Sequence, residues 1–400
     1  MSILGSKRVL LCVTGSIACY KAADLASKLT QLGAAVDVVL TSAALNFVSP
    51  LTFQSVTGRR AYVDADLWGP EGHVLHVSLG KQADLLVIAP ATANTLAKLA
   101  SGQADNLLTL AALASTAPLL LAPAMDGGMY EHAATQANLK TLKQRGAAIV
   151  GPQSGHLASG ISGVGRMVEP AELLGHIRMI VGRDGPLAGR KVVVTAGGTQ
   201  EAIDPVRAIT NRSSGRQGYA LAQTALDFGA AVTLISAPTA LTQPVGCEFV
   251  PVTSAEDMLA AVLVHAKGSD ILFMAAAVAD FRPSKVATQK LKRAAGVPKL
   301  ALTANPDILL ELREAKGKKP KVVVGFAAES KDLFENAKQK LQAKSLDMIA
   351  ANDITAVDAG FEADTNRIVL LDKVGNREDL PLLSKENVAR IIVERAAALL

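Results

Sequence analysis

Several features that would narrow a function at once are scarce in this chain. Only three cysteines, Cys12, Cys19 and Cys247, occur among 400 residues, and their spacing matches neither a disulfide framework nor a metal site. The six histidines likewise form no zinc-binding pattern. Few, scattered cysteines are typical of a reducing compartment, so we expect a cytoplasmic protein.

Aromatic and charged residues are scarce as well. Aromatics make up 4% of the chain and charged residues 19%, whereas half of the residues are hydrophobic. Such a composition excludes disorder and suits a parallel sheet covered by helices on both faces. The formal net charge of +5 favours anionic small molecules. Because no basic stretch is interleaved with aromatics, nucleic acid is not an expected partner.

One uncharged stretch, between Asp105 and Asp126, is long enough to span a bilayer. Pro118 and Pro123 divide it, so we interpret it as a buried helix followed by a buried strand. Lys7 and Arg8 also precede the first apolar segment, which argues against a signal peptide. No membrane association is therefore expected.

Strands and helices alternate in both halves of the sequence, and each half opens with a glycine turn between a strand and a helix. This pattern predicts an α/β fold made of two doubly wound domains with mostly parallel sheets. A Gly- and Pro-rich segment is the predicted linker, at residues 181–190, which separates domains 1–180 and 191–400. The core strands are predicted at 8–13, 36–40, 85–89, 119–122, 147–150, 191–195, 231–235, 270–274, 321–325, 347–350 and 367–371.

Two segments of the first half are suited to a phosphate-bearing ligand. The Gly15-Ser16-Ile17 turn lacks the further glycines of a dinucleotide fingerprint, but it suits a mononucleotide phosphate at a helix N-terminus. Pro90-Ala91-Thr92-Ala93 follows an apolar strand, where small residues and a hydroxyl leave room for a ligand. Alternatively, Thr92 only caps a helix.

Two further segments of the first half, one with His76 and one with Met125 and Asp126, are ambiguous by themselves. Taken alone, His76 fits a structural histidine better than a catalytic one. Met125 and Asp126 follow another apolar strand, in Pro-Ala-Met-Asp-Gly-Gly-Met-Tyr. Alone, that segment is a turn with Asp126 as a helix cap.

Together, these motifs resemble the flavin-dependent cysteine decarboxylases over roughly residues 5–180. The resemblance implies a flavodoxin-like domain, in which His76 assists oxidation of the substrate thiol. It also implies an FMN site formed by Gly15, Ser16, Ile17, Thr41, Pro90, Ala91, Thr92, Ala93 and Met125.

Two catalytic positions differ from that family. Asp126 stands where the family has an asparagine that holds the substrate carboxylate, and a second carboxylate there would repel it. Ser159 stands where the family has a proton-donating cysteine, and a hydroxyl is a far weaker acid than a thiol. We therefore expect slow decarboxylation. In the alternative interpretation, the first domain is catalytically impaired and serves as a scaffold or regulatory binding module.

The second half carries another set of candidate residues. Arg207, Asn211 and two serines precede a predicted helix, which is a dense group of hydrogen-bond donors for an anion. Lys340 and Lys344 lie four residues apart on one helix face, so both can hold a polyphosphate. Lys290 lies on a basic arm, where solvated charge is the alternative interpretation.

These motifs resemble the phosphopantothenate–cysteine ligases over roughly residues 188–400, and the whole chain is similar to the bacterial bifunctional proteins of coenzyme A biosynthesis. The resemblance implies a Rossmann-like ligase domain, in which Asn211 helps to form an acyl-cytidylate and Lys290 acts on the nucleotide phosphates and the leaving group. The implied CTP site consists of Met274, Ala275, Ala276, Asp280, Lys290, Asn305, Pro306, Asp307, Ile308, Phe326, Lys340 and Lys344.

The same resemblance implies substrates and an assembly. The substrates would be 4'-phosphopantothenate, L-cysteine and CTP, with Mg²⁺ accompanying the nucleotide. Decarboxylation of the ligated product would then yield 4'-phosphopantetheine. The chain is expected to form homo-oligomers, with trimers through the flavin domain, dimers through the ligase domain and a dodecamer as the largest assembly.

Overall fold

A computed structural model of the chain describes residues 2–69, 74–158, 160, 162–292, 298–329, 333–353 and 364–400. The chain divides into two compact units, Met1–Val181 and Gly182–Leu400. Of the residues predicted as a linker, Leu187 is fully buried in the core of the second unit.

The first unit is built on a six-stranded parallel sheet with the order β3-β2-β1-β4-β5-β6, and a separate antiparallel hairpin pairs β7 with β8. The strands are β1 (Arg8–Val13), β2 (Ala35–Leu40), β3 (Ala61–Val63), β4 (Leu85–Ala91), β5 (Leu119–Pro123), β6 (Ala148–Ile149), β7 (Gln153–His156) and β8 (Ser162–Arg166). The helices are α1 (Cys19–Gln31), α2 (Pro50–Thr57), α3 (Leu75–Gln82), α4 (Ala93–Ser101), α5 (Leu107–Ala114), α6 (Gly127–Glu131), α7 (Ala133–Gln144) and α8 (Pro170–Gly182).

Both faces of this sheet are buried, which explains the continuous apolar strands. In β1, Val9 and Leu11 face one core, whereas Leu10 and Cys12 face the other. Alternate side chains of a strand point to opposite faces, so a strand covered on both sides is apolar throughout. The long uncharged stretch forms α5 followed by β5, as predicted. Within the described ranges, the chain has no helix with the length and apolar character needed to cross a membrane.

The second unit repeats this order and extends it. Its eight-stranded sheet has the order β13-β12-β9-β14-β17-β18-β20-β21, with the last two strands antiparallel to their neighbours. The strands are β9 (Lys191–Ala196), β10 (Gln200–Ala202), β11 (Ala208–Thr210), β12 (Ala231–Ser236), β13 (Glu248–Pro251), β14 (Ile271–Met274), β15 (Phe281–Pro283), β16 (Leu302–Ala304), β17 (Val322–Glu329), β18 (Met348–Asp353), β19 (Thr365–Asn366), β20 (Ile368–Asp372), β21 (Arg377–Asp379) and β22 (Leu383–Ser384). The helices are α9 (Arg216–Asp227), α10 (Ala255–His265), α11 (Ile308–Glu314), α12 (Leu333–Ala343) and α13 (Lys385–Ala397).

Helices cover both faces of the second sheet too. One core contains α9 and α13, and the other contains α10, α11 and α12. The strand order reverses between β1 and β4 in the first unit and between β9 and β14 in the second. In doubly wound folds, ligands bind at the carboxyl ends of the strands beside such a reversal. The predicted fold class of two doubly wound, mostly parallel α/β domains is confirmed.

Candidate functional site

A buried threonine joins the first predicted turn to the end of β4. Thr14 is 1% exposed, and its hydroxyl donates to the carbonyl of Pro90 at 2.7 Å. The Thr14 hydroxyl oxygen also accepts the N–H of Thr92 at 3.1 Å. These two bonds bring the Pro90–Ala93 segment beside the Gly15-Ser16-Ile17 turn. Thr92 also caps α4 by accepting the N–H of Thr95 at 3.4 Å. Thr92 therefore caps the helix and also lies at the strand end where a ligand was predicted.

The ends of β1 and β2 meet at the same edge. Gly15 lies so close to the turn after β2 that a Cβ atom on it would be 2.6 Å from the Cβ of Ala43. Thr41 is buried, and its N–H donates to the carbonyl of Val13 at 3.1 Å. Gly15 and Thr41, predicted from different segments, therefore lie on adjacent strand ends.

The start of α1 is suited to an anion. Ala18 provides no side-chain cap, and no acidic residue lies in the first turn of the helix. No acidic side chain therefore competes with an anion for the positive end of the helix dipole. The Ser16 hydroxyl accepts the N–H of Ala18 at 3.3 Å, which places it at this N-terminus. These residues fit the phosphate of a mononucleotide such as FMN.

The hairpin β7–β8 lies against the residues that follow β5. The N–H of Met125 donates to the carbonyl of Gly165 at 3.0 Å. A Cβ on Gly165 would be 2.1 Å from the Met125 carbonyl oxygen, so only glycine permits this approach. Asp126 caps α6 by accepting the N–H of Gly128 at 3.0 Å, as the simpler interpretation of that motif predicts.

Two predicted catalytic residues have fewer defined contacts. His76 lies in the first turn of α3, and its Nδ1 atom is buried with no hydrogen-bond partner in the described part of the chain. A buried imidazole nitrogen of this kind is available to a ligand. Ser159 lies outside the described residues, between the paired strands β7 and β8.

Sequence reasoning assigned no role to Lys21, which the structure buries. This lysine is 4% exposed, and its Nζ atom donates to the Met167 carbonyl and to Glu169, both at 2.8 Å. It therefore ties the segment after β8 to α1. The signal was a lysine on the otherwise apolar face of α1, which contains Ala22 and Leu25.

The second unit has a cavity of about 580 Å³ at the carboxyl edge of its sheet. It brings together Asn211 and all but one of the predicted nucleotide-binding residues. The predicted residues that line it are Met274, Ala275, Ala276, Asp280, Asn305, Pro306, Asp307, Ile308, Phe326, Lys340 and Lys344.

Two buried threonines hold the segment that follows β14. Thr195 and Thr199 accept backbone N–H groups of Ala276 and Ala279 at 3.1 and 2.9 Å. The Asn211 amide donates to two carbonyls of the same segment, both at 3.2 Å. These contacts fix the small residues of the segment on the cavity wall and place Asn211 beside them.

Lys340 and Lys344 make contacts with the protein at the α11–α12 side of the cavity. The Nζ atom of Lys340 donates to the Phe326 carbonyl at 2.8 Å, and that of Lys344 pairs with Asp307 at 2.9 Å. Although burial would raise it, the Lys344 ammonium and two backbone N–H groups keep the pKa of Asp307 below its usual value.

The α9–α13 side of the cavity carries cations that sequence reasoning missed. Lys385 begins α13 and is only 6% exposed. Burial lowers its pKa, and the neighbouring Arg216 at the start of α9 lowers it further. Gln217 donates to the Lys385 carbonyl at 3.3 Å, and its Oε1 atom is buried without a partner in the described residues. A lysine at the first position of a helix is unfavourable because it faces the positive end of the helix dipole. This unusual placement was the sequence feature that could have identified Lys385 as a site residue.

Lys290 is the exception among the predicted residues. It is exposed and is not among the residues that line the cavity. The adjacent Leu291 is bound through its N–H to the carboxylate of Asp204 at 3.1 Å. The position of Lys290 is therefore compatible with both interpretations, a solvated surface charge and a residue that acts on the nucleotide.

Comparisons with known proteins cover both units. Residues 2–182 match the family model described as Flavoprotein, and residues 187–400 match DNA/pantothenate metabolism flavoprotein C-terminal domain. The coenzyme A biosynthesis bifunctional protein CoaBC of Bacillus subtilis is 47% identical over 99% of this chain and 98% of its own. The protein of the same name from Mycobacterium tuberculosis is 44% identical over 97% of this chain and 96% of its own. A solved C-terminal domain of CoaBC is 40% identical, covering 54% of this chain and 97% of its own, with a TM-score of 0.46.

Two doubly wound domains, the first of them a flavoprotein domain, define a two-domain α/β enzyme. The chain belongs to the family of coenzyme A biosynthesis bifunctional proteins. The prediction of an enzyme with a ligase half and a decarboxylase half is confirmed at this level. The alternative, an impaired flavin domain that serves as a scaffold, is not favoured.

Proposed function

We propose that the first unit binds FMN for the decarboxylation of phosphopantothenoylcysteine, and that the second unit uses CTP to join 4'-phosphopantothenate to L-cysteine. The observation that carries the ligase assignment is the cavity of the second unit, which collects Asn211 and eleven predicted nucleotide-binding residues at one sheet edge. The observation for the first unit is the convergence of four strand ends around the uncapped start of α1.

In the first unit, the phosphate of FMN would be held by the Gly15-Ser16-Ile17 turn and the start of α1. Thr41, Met125 and the Pro90–Ala93 segment would surround the rest of the cofactor. FMN would supply reversible two-electron chemistry at the substrate thiol. The buried Nδ1 atom of His76 has no partner among the residues that the structure describes, so it can accept or hold a proton near that thiol.

We expect the purified protein to be yellow, and Gly15→Ala to abolish most of the bound FMN. A Cβ at this position would be 2.6 Å from the Ala43 side chain, so the turn must move away from the ligand. Flavin absorbance per mole of folded protein measures the effect. The control is Gly69→Ala, where the nearest atom is 3.4 Å from the new Cβ. A colourless wild-type protein that takes up no added FMN would refute the flavin assignment.

In the second unit, the carboxylate of 4'-phosphopantothenate would attack the α-phosphorus of CTP and displace pyrophosphate. The amine of cysteine would then attack the acyl carbon and release CMP. Asn211 lies on the cavity wall beside the 275–280 segment, where charge would develop. Mg²⁺ would enter with the phosphates of CTP, since no group of three potential protein ligands is gathered among the described residues.

The two sides of the cavity suggest where the phosphates of CTP bind. On the α11–α12 side, Lys340 donates to the Phe326 carbonyl and Lys344 pairs with Asp307. On the α9–α13 side, Arg216, which pairs with Asp364, and the buried Lys385 lie at the positive ends of two helices. A polyphosphate at this second side would offset the burial of Lys385, so we place the terminal phosphates there. This modifies the earlier expectation for Lys340 of α12 and for Lys344, which follows that helix.

Lys385→Met is expected to weaken CTP binding by about 10-fold or more, because one buried charge-assisted contact is lost, while CMP binding changes little. Calorimetry with each nucleotide measures both affinities. Lys267→Met, at an exposed lysine of the same unit, is the control. Equal weakening of CTP and CMP would show that Lys385 acts only on the fold of the cavity.

We also propose that the chain works as a homo-oligomer in the cytoplasm. Four large apolar side chains are 43–64% exposed beside the proposed flavin edge, and a second copy would cover them; they are Ile17, Tyr20, Leu45 and Phe47. All three cysteines are free thiols, as a reducing compartment requires.

A further inference from the structure

Asp204 is a buried carboxylate to which the proposed chemistry assigns no role. The residue is 2% exposed and its side chain is fully covered, yet it does not line the cavity. Its Oδ1 atom accepts the N–H groups of Val206 and Arg207 at 2.8 and 2.9 Å. These two bonds close the turn that joins β10 to β11, the hairpin that leads directly into Asn211.

The second oxygen of Asp204 binds a distant part of the chain. Oδ2 accepts the N–H of Leu291 at 3.1 Å and lies 3.3 Å from the Nε atom of Arg207. Arg207 in turn donates to the carbonyl of Leu291, so both polar groups of that peptide are held. A third bond, from the N–H of Ala287 to the carbonyl of Ile203 at 2.9 Å, joins the same two segments.

Every partner of this carboxylate is a donor, and this explains why the residue is aspartate. Three backbone N–H groups and one guanidinium converge on its two oxygens. An asparagine would turn an NH₂ group toward one of these donors and leave it unpaired. Although burial opposes ionisation, the backbone bonds and Arg207 hold the pKa of Asp204 below its usual value.

We propose that Asp204 is a positioning residue for ligation. It joins the hairpin that leads to Asn211 to the arm of residues 284–292 and so fixes where Lys290 stands relative to the nucleotide. Lys290 itself is exposed and off the cavity wall, and its neighbour Leu291 is bonded to the protein through Asp204 and Arg207. This inference rests on the proposed role of Lys290 at the nucleotide phosphates.

The test measures the rate at which the full-length protein forms pyrophosphate from CTP and 4'-phosphopantothenate without cysteine. Asp204→Asn should lower this rate about 10- to 100-fold, the usual cost of a misplaced catalytic group. If Asp204 acts through Lys290, adding Asp204→Asn to Lys290→Gln should cause little further loss. Hydrogen exchange of residues 284–292 should rise in Asp204→Asn.

Two further variants separate positioning from folding. Leu291→Pro removes the N–H that donates to Asp204 but leaves the buried carboxylate in place, so it carries the test if Asp204→Asn does not fold. Asp227→Asn is the matched control, because Asp227 is also buried and accepts a bond from Gln223 within α9. The control should retain the wild-type rate.

Each result decides a separate point. Multiplicative losses in the double variant would overturn the inference, since they indicate a structural role independent of Lys290. An unchanged rate in both Asp204→Asn and Leu291→Pro would overturn it as well. Wild-type activity in Lys290→Gln would also overturn the inference, but it would not contradict the proposed CTP-dependent ligation. A wild-type chain that forms no pyrophosphate from CTP would instead contradict the proposed function.

Discussion

Asn211→Asp is expected to lower ligase turnover about 100-fold, a loss of the size that follows disruption of one preorganised group at a transition state. The Asn211 amide donates to two carbonyls of the segment after β14, on the wall of the cavity. An aspartate there would place a carboxylate against those carbonyls and beside two anionic substrates. Both the loss of the donor and the new repulsion act on the same step, formation of the acyl-cytidylate.

Lys290→Gln should reduce turnover by a similar factor, since a neutral side chain cannot stabilise the phosphates or the leaving group. Lys285→Gln is the matched control, because Lys285 is exposed on the same arm. Pyrophosphate release with CTP and Mg²⁺ measures the first step, and CMP release after cysteine addition measures the second. Wild-type rates in both site variants would remove these residues from the mechanism.

The predicted core of each domain agrees with the structure because its strands are buried on both faces. An apolar run bounded by a glycine turn identifies such a strand without knowledge of its neighbours, as at β1 and β9. The hairpins β7–β8 and β15–β16 were not predicted. Their strands are short and mostly exposed, so neither alternation nor an apolar run marks them.

The candidate sites were predictable to the extent that strand ends converge. Residues that follow β1, β4 and β14 had to meet at the carboxyl edges of parallel sheets. Partnerships across the cavity were not predictable. Lys344 was expected to bind phosphate, and in the structure it pairs with Asp307. Lys385 lines the same cavity as Gly215, although the two residues are far apart along the chain. Spacing along one helix says nothing about such distant pairs.

The double change Asp126→Asn with Ser159→Cys is expected to raise formation of 4'-phosphopantetheine about 100-fold or more, because about 100-fold is the lower end of the range for a restored general acid. Asparagine and aspartate are equally good helix caps, so Asp126→Asn should retain the bond to Gly128 and change only the charge. The paired strands β7 and β8 lie beside the residues after β5, because the N–H of Met125 donates to the carbonyl of Gly165.

The two single variants separate binding from protonation. Asp126→Asn should lower the KM for phosphopantothenoylcysteine, because a carboxylate no longer faces the substrate carboxylate. Ser159→Cys should leave KM unchanged but raise the yield of the saturated thiol relative to released CO₂. A thiol can supply the proton for reduction of the enethiol, while reduced FMN would return the two electrons taken from the substrate thiol. Mass spectrometry of both products gives this ratio directly. A wild-type chain that already forms one 4'-phosphopantetheine for each CO₂ released, at roughly 1 s⁻¹ or faster, would refute the argument for Ser159. A different acid beside the substrate would then have to supply the proton, and His156 and Asp126 would be the first residues to replace.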